Sequence, residues 1–124
     1  MLNLVILCMS LSANGKHAVQ FELKKSESSF YTATLLEKHR VNPKNQDWTE
    51  KVQYSVENLD CQFLDEDPFG VNCKNLEMES AIVPYYNPKT RTTQQEIWYD
   101  IAFYDDNQNL ASGVYFPPGT CTRY

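Results

Sequence analysis

The sequence predicts an all-β protein, and three observations support this fold class. Apolar and polar residues alternate with a period of two in several segments, as expected for strands with one buried face. Aromatic residues make up 13% of the 124 residues, and only four glycines interrupt the chain; this composition suits half-buried pleated surfaces. Short apolar segments are separated by polar turns, without a long amphipathic helix. About seven or eight short strands at this spacing indicate an antiparallel β-sandwich or a small barrel.

The first thirteen residues differ from the rest of the chain. Met1–Ala13 carries no charge and has a dense apolar centre, although the usual positively charged start is absent. The apolar length fits a secretory signal peptide and is too short for a membrane span. Ser10, Ser12 and Ala13 offer small residues for cleavage. We therefore predict a signal peptide at residues 1–13 and a single β domain at residues 14–124. A buried first strand is the alternative for the leader segment.

The segment after the predicted leader contains three predicted strands. Val19–Leu23 alternates with its odd positions apolar, and Ser29–Leu36 continues as a run of β-prone residues. Glu37–Trp48 is polar and contains a proline, which predicts a loop. Thr49–Val56 then alternates again, which predicts the third strand.

The middle of the chain contains a predicted hairpin. Leu59–Leu64 and Phe69–Cys73 flank the turn segment Asp65–Pro68, a pattern typical of two paired strands. Leu76–Val83 suits either a strand or a short helix, and its alternation favours the strand. Pro84–Thr93 is bounded by prolines and is predicted to be a loop.

The last part of the chain gives the clearest strand pair. Gln95–Tyr104 alternates, Asp105–Asn109 turns the chain, and Leu110–Phe116 returns it. Pro117–Gly119 then ends the strand. The stretch Tyr99–Gly113 resembles the late hairpin of immunoglobulin-like bacterial envelope domains, in which an apolar strand ends in an aromatic-Asp step before a polar turn. This resemblance implies an immunoglobulin-like sandwich as the form of the fold.

The spacing of the cysteines predicts one disulfide. Cys61 and Cys73 each lie six residues from Asp67, so a hairpin centred there places them directly opposite one another, at a distance that a disulfide spans. Two free buried thiols are the alternative. Cys121 is left over, and it could pair with either of these cysteines, with Cys8 if the leader is kept, or with another chain. Together, the leader and the disulfide predict a secreted or periplasmic protein.

We expect no metal site and no cofactor. The cysteines are widely spread, and only His17 and His39 could join them in a zinc site. Asp105–Asn109 begins like a calcium loop, but Leu110 stands where the loop needs glycine and Phe116 where it needs a bidentate glutamate. We therefore predict a polar turn there. No nucleophile elbow, zinc-protease motif or phosphate-binding glycine loop occurs.

Two features bear on binding. Asp100 interrupts an apolar strand on the face shared with Trp98, Ala102 and Tyr104, and we expect that face to be solvated. Tyrosine, tryptophan and arginine are enriched at binding hot spots, which suggests a partner-binding patch built from Tyr85, Tyr86, Lys89, Arg91, Trp48, Trp98 and Tyr104. The alternative is that these aromatic residues cover the core.

The charge and motif content limit the possible functions. The net charge is −5 and the pI is about 4.9, and without a basic run the chain is a poor candidate for binding nucleic acid or anionic membranes. We predict a non-enzymatic binding module that recognises a protein partner, as an effector, inhibitor or immunity-type protein does. A carrier of small hydrophobic ligands with an aromatic-lined cavity and a small hydrolase using carboxylates are the alternatives.

Overall fold

The fold consists of antiparallel strands. The computed structural model describes residues 3–26, 29–63, 71–87, 92–117 and 119–124, and these residues contain nine strands and no helix. The strands are β1 (Asn3–Leu11), β2 (His17–Lys25), β3 (Tyr31–His39), β4 (Thr49–Phe63), β5 (Val71–Lys74), β6 (Met78–Asn87), β7 (Thr92–Tyr104), β8 (Leu110–Phe116) and β9 (Cys121–Arg123). The all-β antiparallel prediction is confirmed.

The strands form one sheet that curls into a half-barrel. Strands β1 to β8 lie side by side in chain order, and β9 lies beside β1 at the far edge. The described part of the chain contains more strands than the seven or eight predicted. The reason is that β1 occupies the predicted leader and that β9 follows Pro117–Gly119, after which no strand is predicted.

Strand β4 connects the two halves of the sheet. Its residues 49–59 pair with β3 and its residues 60–63 pair with β5. Near the end of the first part, Asn58 has a φ of 60°, a left-handed conformation that asparagine tolerates better than most residues. The register with β3 shifts there, which is a bulge, and bulges bend a strand. The side-chain amide of Asn75 donates to the Glu57 carbonyl at 3.0 Å and ties the bend to the β5–β6 turn.

Aromatic side chains from both halves fill the concave side of the sheet. The Phe21 ring of β2 lies 5.8 Å from the Tyr99 ring of β7 and 6.5 Å from the Phe116 ring of β8, measured between centroids. Tyr54 of β4 stacks on Phe103 of β7 at 4.3 Å. Such pairs stabilise a core beyond the area they bury. The curvature of the sheet thus brings strands far apart in the order into contact.

The structure places residues 3–11 in a strand, which was the alternative to the leader. Ile6 and Cys8 are fully buried, and β1 pairs with both β2 and β9. An uncharged apolar run suits a signal peptide and a buried strand equally well, so composition does not separate the two. Removal of residues 1–13 stays a prediction; it would delete this strand and leave Cys121 without its partner.

Two disulfides link neighbouring strands. Cys61–Cys73 joins β4 to β5 and Cys8–Cys121 joins β1 to β9, each with a Cα–Cα distance of 4.0 Å. The first confirms the hairpin prediction, and the second is one of the pairings left open for Cys121. Disulfides persist in oxidising environments such as the extracellular space. Among the described residues no helix is long and apolar enough to span a membrane.

The segment around Pro84 departs from the prediction of a loop. Strand β6 begins at Met78, which confirms the strand interpretation, but it continues to Asn87, and β7 already begins at Thr92. Pro84 lies opposite Ile97, and the register shifts directly after it. Proline is tolerated in a strand at such an irregularity because its missing N–H is not needed there.

The two disulfides determine the mass change that reduction causes. We expect the full-length chain, produced in an oxidising compartment, to gain four hydrogens on reduction, two for each disulfide. Intact-mass spectrometry with and without reductant measures this gain and also shows whether residues 1–13 are present. A gain of only two hydrogens by the full-length chain would contradict one of the disulfides, whereas a native mass lacking residues 1–13 would support the predicted leader.

The two disulfides differ in the length of chain that they close. Cys8–Cys121 spans 113 positions and Cys61–Cys73 spans 12, so the chain-entropy description predicts losses of roughly 5 and roughly 3 kcal/mol on their removal. We expect Cys8→Ser/Cys121→Ser to lower the free energy of unfolding more than Cys61→Ser/Cys73→Ser does. Denaturant unfolding of the two double variants measures this difference, and the reverse order would show that local packing outweighs loop length.

Candidate binding surface on strands β6 to β8

The predicted binding residues are at different positions along the described strands. Successive antiparallel strands run in opposite directions, so the β3–β4 and β7–β8 connections lie at one end of the sheet and the β6–β7 connection at the other. Trp48 precedes β4 at the first end, whereas Tyr85 and Tyr86 lie near the end of β6 at the second. Lys89 and Arg91 lie outside the described residues. Trp98 lies within β7, opposite Val83, and Tyr104 is the last residue of β7.

Trp48 takes part in a local contact that fixes the β3–β4 loop. The Arg40 guanidinium carbon lies 3.9 Å from the centroid of the Trp48 ring, a cation–π arrangement. The same guanidinium donates from Nε to the Gly15 carbonyl at 2.8 Å and from Nη1 to the Asn45 carbonyl at 2.7 Å. Arg40 thereby ties the loop to the β1–β2 turn. Sequence reasoning missed Arg40, because its partners are backbone carbonyls that leave no pattern.

Strand β7 separates a buried face from an outer face. Tyr99, Ile101 and Phe103 are buried, and Asp100 alternates with them as an intermediate residue. Tyr99 donates its hydroxyl to Ser80 Oγ at 3.0 Å, and burial raises its pKa to about 12. It therefore serves the core as a neutral phenol. The ionisable side chain that solvent reaches in this part of β7, Asp100, is on the outer face.

The centre of the outer face of β6, β7 and β8 consists of small residues. The register places Asp100 opposite Ala81 of β6 and Tyr115 of β8, and places Ala102 opposite Gly113 of β8. No atom lies within 4 Å of a Cβ built on Gly113. The small residues thus lie between larger side chains. We call this surface the outer β6–β8 face; its residues are Glu79, Ala81, Asp100, Ala102, Tyr104, Gly113 and Tyr115.

Two carboxylates give this face its charge. Partial burial raises the pKa of Asp100, and repulsion from the neighbouring Glu79 carboxylate adds to the effect. The Tyr104 hydroxyl donates to Glu79 Oε2 at 3.4 Å. Because the two acids repel one another, the face favours a positively charged ligand group.

Strand β8 forms the edge of the sheet beside this face. It is the terminal strand in the sheet order, and its seven residues, LASGVYF, include neither a charge nor a proline. Leu110 is 66% exposed and Tyr115 is 59% exposed. Natural edge strands are usually protected by lysine, proline or short length. The other terminal strand, β9, has three residues and carries Arg123.

A polar depression of about 300 Å³ continues from the outer β6–β8 face onto β4 and β5. Its lining includes Asp60, Lys74 and Glu79, which lie opposite one another in register across three strands. A cation therefore stands between two acids. The lining of this depression therefore carries both positive and negative charge, whereas the outer β6–β8 face carries the two acids Glu79 and Asp100.

The Asp105–Asn109 turn behaves as the polar turn predicted from its sequence. Asp105 Oδ1 accepts hydrogen bonds from the backbone N–H groups of Asn107 and Asn109, at 2.9 and 3.0 Å. Gln108 adopts a φ of 64°. The Asp105 carboxylate thus stabilises the turn itself, which is the ordinary role of an aspartate at the start of a tight turn.

The outer β6–β8 face offers tyrosine side chains, hydrogen-bonding groups and negative charge. The chain has no significant match among protein-family models, curated proteins or solved structures. Its function is therefore inferred from its own residues.

The raised pKa of Asp100 has a consequence for stability. The charged carboxylate is less favourable in the folded state than in the unfolded one, so Asp100 opposes folding as the pH rises through its pKa. We expect Asp100→Asn to raise the thermal midpoint slightly at neutral pH, with the gain disappearing below about pH 4, the ordinary range of an aspartate pKa. Thermal unfolding across pH measures this gain. Asp47→Asn, an exposed acid in the β3–β4 loop, is the control, and an equal gain there would contradict the assignment.

Proposed function

We propose that this chain is a small non-enzymatic binding module of a secreted or periplasmic kind, which recognises a cationic, extended segment of a protein partner at the β8 edge and the outer β6–β8 face. The observation that carries the proposal is the uncharged edge strand β8 lying directly beside a face with two tyrosines and two acids.

The scaffold supports this function because it holds the surface in one shape. Two disulfides and cross-sheet aromatic contacts brace the sheet. A preorganised surface loses little conformational entropy when it binds, so more of the contact energy is expressed as affinity. The disulfides also support a place of action in an oxidising compartment.

The β8 edge supports recognition of an extended segment. A strand at a sheet edge presents backbone N–H and C=O groups that an incoming strand can pair with, and side-chain contacts then supply specificity. Tyr115 lies on β8 and Tyr104 at the end of β7, so an added strand contacts aromatic side chains on the outer face. Tyrosine combines contact area with a hydroxyl and is enriched where binding energy concentrates.

The charge of the face supports a cationic partner. Asp100 and Glu79 repel one another, and a lysine or arginine of the partner relieves this repulsion. The chain carries a net charge of −5, which attracts positively charged partners at longer range and speeds their association. Affinity is then expected to decrease with salt.

The two alternative functions have less support. A carrier needs open space, whereas Phe21, Tyr99 and Phe116 pack against one another on the concave side. The pair of acids is the feature that favours a hydrolase, since a raised pKa suits a general acid. On an outer sheet face that pair lies where a partner's cations can reach it, which fits recognition better.

The proposal predicts binding of a short synthetic peptide of alternating lysine and threonine. We expect its addition to shift the backbone amide signals of β8 and of Asp100 and Ala102 in NMR titrations. Removing both acids in Glu79→Gln/Asp100→Asn should weaken binding by up to about tenfold, as expected for two partly exposed charge contacts. The double variant Asp47→Asn/Glu57→Gln removes the same net charge from exposed sites elsewhere and should bind nearly as the parent does.

A second pair of variants tests the edge. Gly113→Arg adds a bulky cation to β8, where a new side chain has room, and should abolish the shifts. Thr122→Arg adds the same group to exposed β9 and should preserve them. Absence of shifts at millimolar peptide, equal binding of a peptide with glutamate in place of lysine, or equal effects of the two arginine variants would overturn the proposal.

A further inference from the structure

The two histidines of the chain lie side by side, although the sequence separates them. His17 is the first residue of β2 and His39 is the last residue of β3, and they are direct partners in the antiparallel register. Both are exposed, and their ring centroids lie 6.3 Å apart with an angle of 30° between the ring planes. The strand pairing therefore creates a pair of imidazoles at one end of the sheet.

Backbone hydrogen bonds fix this pair from both sides. Ser12 Oγ accepts from the His17 N–H at 3.1 Å, and the Ser12 N–H donates to the His17 carbonyl at 2.8 Å. The N–H of Arg40, directly after His39, donates to the Lys16 carbonyl at 2.8 Å. The β1–β2 turn and the start of the β3–β4 loop thus hold both backbones, and only the side chains have to rotate to share a ligand.

We propose that His17 and His39 form a two-imidazole chelate for a divalent transition-metal ion of the class that prefers nitrogen ligands, such as Zn²⁺, Ni²⁺ or Cu²⁺. An ion bonded to one nitrogen of each ring at about 2.0–2.1 Å lies about 3.2 Å from each centroid, so two rings on one ion lie about 5.2 Å apart at a tetrahedral angle and about 6.4 Å apart when the nitrogens are opposite one another. The observed separation of 6.3 Å is close to the upper value and about 1 Å above the tetrahedral one. Rotation about the exposed side-chain bonds brings the nitrogens to the ion.

The surroundings of the pair set the type of site. Glu37 lies two residues before His39, on the same side of β3, and its Oε2 accepts from Gln53 Nε2 at 2.8 Å. A depression of about 230 Å³ beside His17 is lined in part by Ser10, Ser12 and Glu37. In the part of the chain that the structure describes, no three histidine, cysteine or acidic side chains lie close enough together to hold a metal ion. Water therefore completes the coordination, and the Glu37 carboxylate adds negative charge nearby.

This site differs from the zinc site of cysteines and histidines that we did not expect from the sequence. That site needed cysteine thiolates, and all four cysteines are in disulfides. The new site uses the histidines alone. An open two-ligand site predicts a labile ion that exchanges readily with solution, rather than a permanent structural metal.

The test uses the disulfide-bonded full chain with Zn²⁺ and Ni²⁺ added as simple salts at neutral pH. We expect isothermal titration calorimetry to give one ion per chain, and NMR to show both imidazole rings shifting together. His17→Asn and His39→Asn should each weaken binding by at least about tenfold, because loss of a ligand costs more than the loss of a residue that orients one. Glu37→Gln should weaken it less, and Mg²⁺, which prefers oxygen ligands, should not compete.

Circular dichroism and thermal unfolding of each variant check that its fold is intact. Both histidines are exposed at strand ends, so a folded His17→Asn protein is expected. A shift of one ring only, binding unchanged in either histidine variant, or absence of binding at millimolar Zn²⁺ and Ni²⁺ would each overturn the proposal. These outcomes are independent of peptide binding at the outer β6–β8 face.

Discussion

The bulge of β4 at Asn58 lies where the two halves of the sheet meet, and the packing of the core depends on the curvature of the sheet. Bulges bend a strand and increase its twist, which favours the contact of Phe21 of β2 with Tyr99 of β7 across the concave side. The left-handed conformation costs most non-glycine residues roughly 1–2 kcal/mol and asparagine less. Each aromatic pair across the concave side contributes roughly 0.5–1.5 kcal/mol of stability in the opposite direction. Curvature and core packing therefore depend on one another. Neither is explained by the alternation of residues within a single strand.

Core and surface functions are carried by the same strands on opposite faces. Tyr99 fills the core with a neutral phenol. Asp100, the next residue, faces outward, and partial burial, together with repulsion from Glu79, raises the pKa of its carboxyl group. Cys73 likewise joins the buried disulfide while Lys74 lies between two acids outside. Because neighbouring residues on a strand point to opposite faces, fixing the core register also fixes which surface side chains meet. The outer β6–β8 face is thus a direct consequence of core packing.

Features determined by neighbouring residues could be predicted from the sequence, whereas features determined by pairing between distant residues could not. The hairpin with its Cys61–Cys73 disulfide and the Asp105–Asn109 turn follow from local spacing. An uncharged apolar run fits both a leader and the strand β1, so the sequence does not separate them. The loop predicted at Pro84–Thr93 is wrong in part, since β6 continues to Asn87 although proline normally ends a strand. The outer β6–β8 face needs the register of three strands, and the His17–His39 pair needs that of two. The order of the aromatic residues along the chain does not tell which end of the sheet each one occupies: Trp48 and Tyr104 are at one end, and Tyr85 and Tyr86 are at the other.

The pairing of β1 with β9 places the first and last described strands side by side. Ile6 lies opposite Arg123, and the Tyr124 N–H donates to the Val5 carbonyl at 2.7 Å, so residues 3 and 124 lie at the same end of the sheet. A short linker between them would close the ring, and new ends could then be opened in the exposed loop at residues 41–47 without cutting a strand. A chain that starts at a different residue could therefore form the same half-barrel with the same strand neighbours.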